Sequence, residues 1–411
     1  MVGKGSLLVI LGFSILFGVA SKYWNRTSTR AVENFVHYHN ETVAHNVAVA
    51  GANVAANKIF LDTSATNFTQ SASFSGGTYS IIASPVGSNR VHVYVIGQYS
   101  GIVDTAELLL QKPAFTKFAY YSVVEPAVYW ITGDTMWGPY HSQSKLYLSG
   151  SPVFFGKVST RLGTNPTLPN PNATPHFYGG YQSGVSIQMP TDLTPLQQAA
   201  SDHGRVFTNP SRSGNYDVYL TFNPDGKVTF KDNTMSSDST VDLSTLAPNG
   251  VIWINKGTAH VQGTLDGRAT VLATGSSGVN SNFGNVLIEN DVKYKDDPRI
   301  GPSNDMLGLV AQNNVTISSD FPNTDITIQA GIFSATGSFS YAAYNSKLKG
   351  TLYLYGSIAN YQRGAVGQFD RSTNTKTSGF TKNYKYDDRF YGSSPPSFPN
   401  TGTFEILTWR E

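Results

Sequence analysis

The sequence predicts an α+β protein that is mainly β: one long N-terminal helix followed by a β-rich body that includes a β-solenoid. Three observations support this prediction. An uncharged apolar run near the start continues into an alanine-rich segment whose apolar residues recur at helical spacing. After residue 60, short apolar runs are separated by glycine, proline and asparagine, which is the pattern of strands and turns. From residue 249 these runs follow one another closely, as expected for stacked coils.

Residues 6–60 are predicted to form one helix. The run from Ser6 to Ala20 carries no charge, and no proline occurs between Ala31 and Phe60. Such a helix extends for about 75 Å, which is more than a small domain of its own can cover. We therefore expect it to bundle with other helices through Leu7, Leu8, Ile10, Leu11, Phe13, Ile15, Leu16 and Phe17. Small side chains further along are expected to let another helix approach closely: Ala44, Ala48, Gly51, Ala52, Ala55 and Ala56.

Three fates of the N-terminus compete. A secretory signal would be cut near Ser21, a single-pass anchor would be retained, and a short leader, residues 1–5, would be removed between Gly5 and Ser6. A secretory signal is normally followed by a turn-rich start, whereas a helical segment follows here. The sequence therefore favours the leader with cleavage between Gly5 and Ser6.

The body is predicted to have three parts: an N-terminal β domain at 61–204, a solenoid-like domain at 205–360 and a loop-rich cap at 361–411. Residues 91–96 alternate between two faces, as a half-buried strand does. A β-sandwich with Greek-key loops predicts much the same pattern as a solenoid, and both remain open at this point.

Composition excludes several classes of function. The 411 residues carry 29 basic and 27 acidic side chains, so no excess of positive charge is available for nucleic acid. The absence of cysteine excludes disulfides, thiol catalysis and cysteine-based zinc sites. No nucleotide-binding, serine hydrolase or zinc protease motif occurs, so we expect no enzyme and name no catalytic residue.

Two sets of residues remain as candidate sites in the body. Asp296, Asp297, Asn304 and Asp305 flank a Gly-Pro turn, and they either cap turns or supply oxygen ligands to Ca²⁺. Trp137 and Tyr178 lie in predicted loops and are candidates for contact with a surface glycan or a protein partner. His37 and His45 share one helix face, but about 12 Å of rise between them is too much for one ion.

The start GSLLVILGFSILFGVA and the alanine-rich helix after it resemble the PilX N-terminal class of pilus assembly proteins, which are minor pilins. Matching stretches in the body lie at 132–141, 148–154, 249–254, 263–268, 296–298, 304–311 and 386–411.

The resemblance implies a non-enzymatic subunit of a type IV pilus-like or pseudopilus-like filament at the cell surface. Its β body is expected to be exposed for adhesion or contact with a partner. Its partners would be copies of itself or other pilin-like subunits, and it would sit in the inner membrane before assembly. Ile10 occupies the mature position five at which major pilins carry glutamate, which fits an initiating or accessory subunit. The alternative is a secreted or cell-surface β-helix protein that binds or degrades polysaccharide.

Overall fold

The computed structural model describes residues 3–87, 89–210, 215–275, 283–370 and 375–411. They form two compact units: unit 2 is Pro113–Thr401, and unit 1 consists of the residues before and after it. The predicted parts at 61–204 and 361–411 therefore each contain residues of both units. Local patterns could not show this division, because it depends on the pairing of the last strand of the chain with a strand from its first third.

Unit 1 consists of the helix α1 (Gly3–Leu61) and a five-stranded antiparallel sheet. The strands are β1 (Phe68–Phe74), β2 (Gly77–Val86), β3 (Arg90–Tyr99), β4 (Ile102–Gln111) and the C-terminal strand Glu405–Arg410, in that order across the sheet. In the last pair, Glu405 lies opposite Gln111. The predicted long helix followed by a β-rich body is thus confirmed.

The C-terminal third of α1 packs on this sheet through small side chains. Its buried residues are Ala44, Val47, Ala48, Gly51, Ala52, Ala55, Ala56 and Ile59. The helix comes so close to Gly97 of β3 that a Cβ there would lie 2.4 Å from the Ala48 nitrogen. The expectation that these small residues receive another helix is therefore wrong, because the sheet of their own unit already covers them.

Unit 2 contains two runs of short strands. The first run has β5 (Tyr120–Val124), β6 (Thr135–Met136), β7 (Tyr140–Ser142), β8 (Leu146–Tyr147), β9 (Val153–Phe154), β10 (Val158–Thr160), β11 (Thr164–Asn165), β12 (His176–Phe177) and β13 (Tyr181–Ser183). The helix α2 (Thr194–His203) connects it to the second run.

The second run begins with β14 (Arg205–Thr208), β15 (Asp217–Phe222), β16 (Lys227–Asp232) and β17 (Ser239–Asp242), followed by the short helix α3 (Leu243–Leu246). It continues with β18 (Val251–Asn255), β19 (Thr258–Leu265), β20 (Arg268–Thr274), β21 (Asn285–Tyr294), β22 (Met306–Ala311), β23 (Val315–Ile317), β24 (Ile326–Ser334), β25 (Phe339–Tyr341), β26 (Leu348–Gln362), β27 (Gly367–Asp370) and β28 (Thr375–Tyr386). Two 3₁₀ turns, Phe115–Lys117 and Asp388–Tyr391, flank the two runs, and the C-terminal strand of unit 1 is β29.

Most strands of unit 2 pair in parallel with the strand one turn of chain later. One such row of partners is Ile252, Val271, Leu309, Ile332 and Ile358. Among the described strands of unit 2, antiparallel ladders join only β15 to β16, β16 to β17, and β27 to β28. Parallel pairing of successive turns is the arrangement of stacked coils, and it is not that of a sandwich built from antiparallel Greek keys. We call residues 120–183 and 205–386 the coil stack.

The two runs stack end to end, but their order in the stack differs from their order along the chain: the end of the second run meets the start of the first. Ile358 of the second run pairs in parallel with Tyr120 of the first, and the same row continues through Tyr140, Val158 and Tyr181. The first run therefore extends the stack beyond the coil where the second run ends. We call the boundary between β26 and β5 the seam.

A buried ion pair crosses the seam. The Arg363 guanidinium lies 3.2 Å from the Glu125 carboxylate, and both side chains are almost wholly excluded from solvent. Ser122 and Tyr140 donate hydrogen bonds to Glu125 Oε1, at 2.5 Å and 3.0 Å. Burial by itself lowers the pKa of Arg363, but the charge and hydrogen bond of Glu125, together with Tyr120 and Tyr140, outweigh burial and raise that pKa above its ordinary value.

One outer face of the coil stack is also buried. Tyr121 and Phe333 belong to a row of side chains that point out of the coil stack. This row is covered by α2, by the 3₁₀ turn at Phe115–Lys117 and by Phe398. His141 lies in the same layer and stacks on Tyr121, with ring centroids 5.3 Å apart.

Candidate functional site

The N-terminal part of α1 is an apolar surface that nothing in its own unit covers. Every described residue from 3 to 39 is exposed. The predicted assembly residues Leu7, Leu8, Ile10, Leu11, Phe13, Ile15, Leu16 and Phe17 are each 54–69% exposed. The surface of a soluble protein rarely presents so continuous an apolar patch unless that patch contacts lipid or another protein. We call residues 6–20 of α1 the apolar segment.

The apolar segment and the packed part belong to one uninterrupted helix. The helix continues through Tyr23, where a retained anchor or a cleaved signal could have ended it. Thr27 and Thr42 donate their hydroxyls back to carbonyls four residues earlier, so their polar groups are satisfied within the helix. By length and composition, α1 is the one helix among the described residues that could cross a membrane. A secretory signal passes the same test, so this finding alone does not choose among the three fates.

The predicted processing position lies in the first turns of α1. Gly5 and Ser6 are both exposed, and the Ser6 hydroxyl donates to the Gly3 carbonyl at 3.2 Å. Residues 1 and 2 of the predicted leader lie outside the described residues. Ile10 is exposed like its apolar neighbours.

Two of the three histidines of α1 form pairs with carboxylates. His37 lies 3.4 Å from Glu41 on the exposed face of the helix. His45 reaches the sheet of unit 1, where its two nitrogens lie 3.0 Å from Asp104 and 3.5 Å from Glu411. His37 and His45 therefore each have their own acidic neighbours.

Of the four residues predicted as turn caps or calcium ligands, Asp305 and Asp297 hold the turn together through their carboxylates. Asp305 is buried, and its two oxygens accept from the backbone nitrogens of Gly267 and Asp296 at 2.7 Å and 2.9 Å. Asp297 binds the Arg299 guanidinium, whose hydrogen bonds lower the pKa of that carboxyl. Asn304 is exposed. In the part of the chain that the structure describes, no group of three histidine or acidic side chains could hold a metal ion.

Trp137 and Tyr178 are brought into one row by a residue that sequence reasoning missed. The Trp137 ring stacks on Phe155 with centroids 3.9 Å apart, and Phe155 stacks on Tyr178 at 5.3 Å. All three side chains are at least 40% exposed. Because their faces lie against one another, mainly the ring edges and the outer faces of the end members are available to a partner.

A repeated pattern in the sequence could have revealed this aromatic row. An apolar residue, an aromatic residue and a glycine recur at 136–138, 154–156 and 177–179. The glycines stack on each other, and a Cβ on Gly156 would lie 2.1 Å from the carbonyl carbon of Gly138. At this position, adjacent coils of the first run can come this close only because a glycine follows each aromatic residue.

A second missed cluster centres on His260. Its Nδ1 lies 2.6 Å from Glu289 and its Nε2 lies 3.3 Å from Asp217, while Tyr219 stacks on the imidazole at 4.2 Å. Although burial lowers the pKa of His260, the hydrogen bonds to the two carboxylates raise it overall. Both nitrogens are occupied by carboxylates, which indicates an ion-paired link between coils and leaves no free base for catalysis.

Comparison with known proteins gives one similar solved structure to report. No protein-family model matches the sequence and no curated protein matches it, so the specific PilX class stays a prediction. The chain is similar to the crystal structure of the competence-associated pilin ComZ from Thermus thermophilus, over 90% of this chain and 97% of that one. The sequence identity is 11% and the TM-score is 0.38. At that TM-score the likeness supports no functional argument, and the function must be argued from the apolar segment.

Proposed function

We propose that this protein is a non-enzymatic, pilin-like subunit that assembles through α1 into a surface filament, with the coil stack outside. It would be held in the inner membrane by the apolar segment before assembly. One observation carries the proposal: a single helix is buried by its own sheet at one end and wholly exposed and apolar at the other. The exposed end needs a cover that its own unit does not supply.

The force for assembly would come from burying the apolar segment. Each large apolar side chain contributes about 1.5–3 kcal/mol when it passes from water to full burial. In the membrane the segment is already dry, so association there would depend on close packing between helices. The partners would be other copies of this chain or other pilin-like subunits.

A single charge in the apolar segment tests this proposal. Leu11→Arg should abolish filament assembly, because a buried guanidinium without a counter-charge is costly in a dry helix bundle. Leu11→Met is the matched control and should assemble normally. The measurement is the amount of protein in filaments sheared from the cell surface, with near-ultraviolet circular dichroism to show that the body is folded. Normal filaments from Leu11→Arg would overturn the proposal.

The mature N-terminus separates the proposal from its alternative. Cleavage between Gly5 and Ser6 would give Ser6 as the first residue of material isolated from the cell surface. A first residue of Ser21 would mean that the apolar segment is removed, and it would favour the secreted polysaccharide-binding or polysaccharide-degrading protein. An intact Met1 would favour a static anchor.

A further inference from the structure

A groove of about 810 Å³ opens at the seam of the coil stack. One wall comes from residues 127–135 and 137, which follow the first strand of the first run, and the other comes from residues 351, 353, 367–369 and 381–384 of the second run. It includes Trp137 but none of the other residues discussed so far as candidate contacts. A second hollow, of about 650 Å³, lies under the proline-rich segment 168–177, but its lining is almost entirely apolar.

The groove contains a lysine at a core position. Lys382 of β28 pairs in register with Leu352, which is fully buried one coil earlier. Leu354 and Tyr384 form the next such pair, so the inward row changes from apolar to polar at the seam. The Lys382 ammonium lies 6.0 Å from the centre of the Trp130 ring, and it makes no hydrogen bond or ion pair with any described residue. A cation placed among core residues without a direct ion pair is costly, and such groups concentrate at binding sites.

Trp130 adds a second unsatisfied group. Its side chain is 3% exposed, and its indole N–H has no acceptor among the described residues. The Arg363 guanidinium lies 4.6 Å from the same ring, but Arg363 is already paired with Glu125. Two donors in the lining, Lys382 Nζ and Trp130 Nε1, therefore lack acceptors.

The remaining lining combines exposed aromatic rings with polar side chains. Trp137, Tyr353 and Phe369 are each 38–48% exposed. Gln368 and Asn383 contribute amides to the same lining, and Asp134 contributes a carboxylate. Aromatic surfaces with a few placed polar groups are typical of sites for small ligands, and rings and amides together suit the apolar faces and hydroxyls of sugars.

We propose that the seam groove binds an oligosaccharide containing uronic acid, with one sugar carboxylate paired to Lys382 and the sugar rings against Trp137, Tyr353 and Phe369. A carboxylate supplies the acceptor that Lys382 lacks, and a neutral sugar does not. The proposal goes beyond assembly of the helix and holds whether or not the chain forms filaments.

The charges around Lys382 give the interaction a pH dependence. Burial, and then the Arg363 charge, lower the pKa of Lys382 to about 8, although Asp134 and Glu125 act in the opposite direction. Burial raises the pKa values of Tyr120 and Tyr384, so neither phenol ionises near pH 8. Lys382 is therefore mostly charged at pH 7 and mostly neutral at pH 9. Binding of an anionic sugar should weaken across that interval.

The test is titration calorimetry of the full chain in detergent micelles with a galacturonic acid pentamer. Cellopentaose serves as the neutral probe of equal length. We expect the uronate to bind at least tenfold more tightly than cellopentaose at pH 7, and to lose at least tenfold in affinity in Lys382→Met and at pH 9. Lys385→Met is the matched control, since Lys385 is exposed on the same strand and does not line the groove.

Three results would overturn the proposal: no binding of the uronate, equal binding of the two probes, or an equal loss in Lys385→Met. If Lys382→Met fails to fold, Trp137→Ala provides a second test at an exposed position, and unchanged uronate affinity in that variant would contradict the proposal. Leu11→Arg should leave uronate binding unchanged, so failure of filament assembly can be distinguished from failure of this site.

Discussion

Replacing Glu125 with glutamine removes one charge from the ion pair across the seam and keeps nearly the same shape. Arg363 then remains in a side-chain environment only 3% exposed, without the carboxylate 3.2 Å away. Removing one partner of a buried pair costs about 3–5 kcal/mol, because the remaining charge stays desolvated. Folded domains are stable by about 5–15 kcal/mol in total, so this loss should be large relative to the stability of unit 2.

The assay is urea unfolding of the full chain in detergent micelles, followed by tryptophan fluorescence and near-ultraviolet circular dichroism. We expect the unfolding midpoint of unit 2 to fall sharply in Glu125→Gln and to recover most of the loss in the double variant Glu125→Gln/Arg363→Met. The recovery is expected because two neutral groups of similar size leave no unpaired charge. Asp225→Asn, in the exposed pair with Lys227, is the control and should leave the midpoint unchanged. A change of under 1 kcal/mol in Glu125→Gln would refute the reasoning.

Two further predictions concern packing and pH. Gly97→Val should destabilise unit 1 by about 3 kcal/mol or more, because its Cβ would meet the backbone of α1 at Ala48. Gln98→Val, at the exposed neighbouring position, is the control and should not destabilise the unit. Limited proteolysis of β3 measures the difference, and equal protease resistance of the two variants would contradict the prediction. Burial, and then Lys117, lowers the pKa of His141 to about 4 from 6.5. The unfolded chain therefore binds a proton between pH 6.5 and 4 that the folded chain does not, and folding stability should fall by about 3 kcal/mol as pH drops through that window. His141→Phe should lose this part of the pH dependence in urea unfolding at pH 7 and pH 4, and an unchanged dependence would be evidence against it.

The sequence was sufficient to predict α1, and insufficient to predict what its two ends contact. An uncharged run and the lack of proline determine a helix locally, whatever surrounds it. Small residues such as Ala48 and Gly51 are equally suited to a neighbouring helix or to a sheet. Only the position of Gly97, in a strand many residues later, decides that they meet the sheet.

The seam illustrates what local patterns cannot predict. Glu125 and Arg363 are each unremarkable in the sequence, and their pairing depends on the first run stacking beyond the end of the second. The same stacking brings Trp130 and Lys382 into one groove. Alternating apolar residues and turn residues predict that strands exist. The order in which the coils stack depends instead on which strand edges are left unpaired at the end of each run.

The aromatic row was partly predictable. Trp137 and Tyr178 were recognised as residues able to make contacts, and the recurring apolar–aromatic–glycine pattern would have added Phe155 and placed all three on adjacent coils. For the acidic turn, the two competing roles follow from the sequence but the geometry does not, because a hydrogen bond of Asp305 reaches back to Gly267.

The chain enters and leaves unit 2 at neighbouring positions, and this has a consequence for how the length of the body can change. Gln111 and Glu405 are register partners on adjacent strands, and Thr401 donates its backbone N–H to Pro113 where the body begins and ends. Both outermost coils of the stack, at β13 and β14, are internal to the chain and far in sequence from that attachment. Duplication or loss of coils at either extremity would therefore change the length of the body while leaving its connection to the helix-bearing unit untouched.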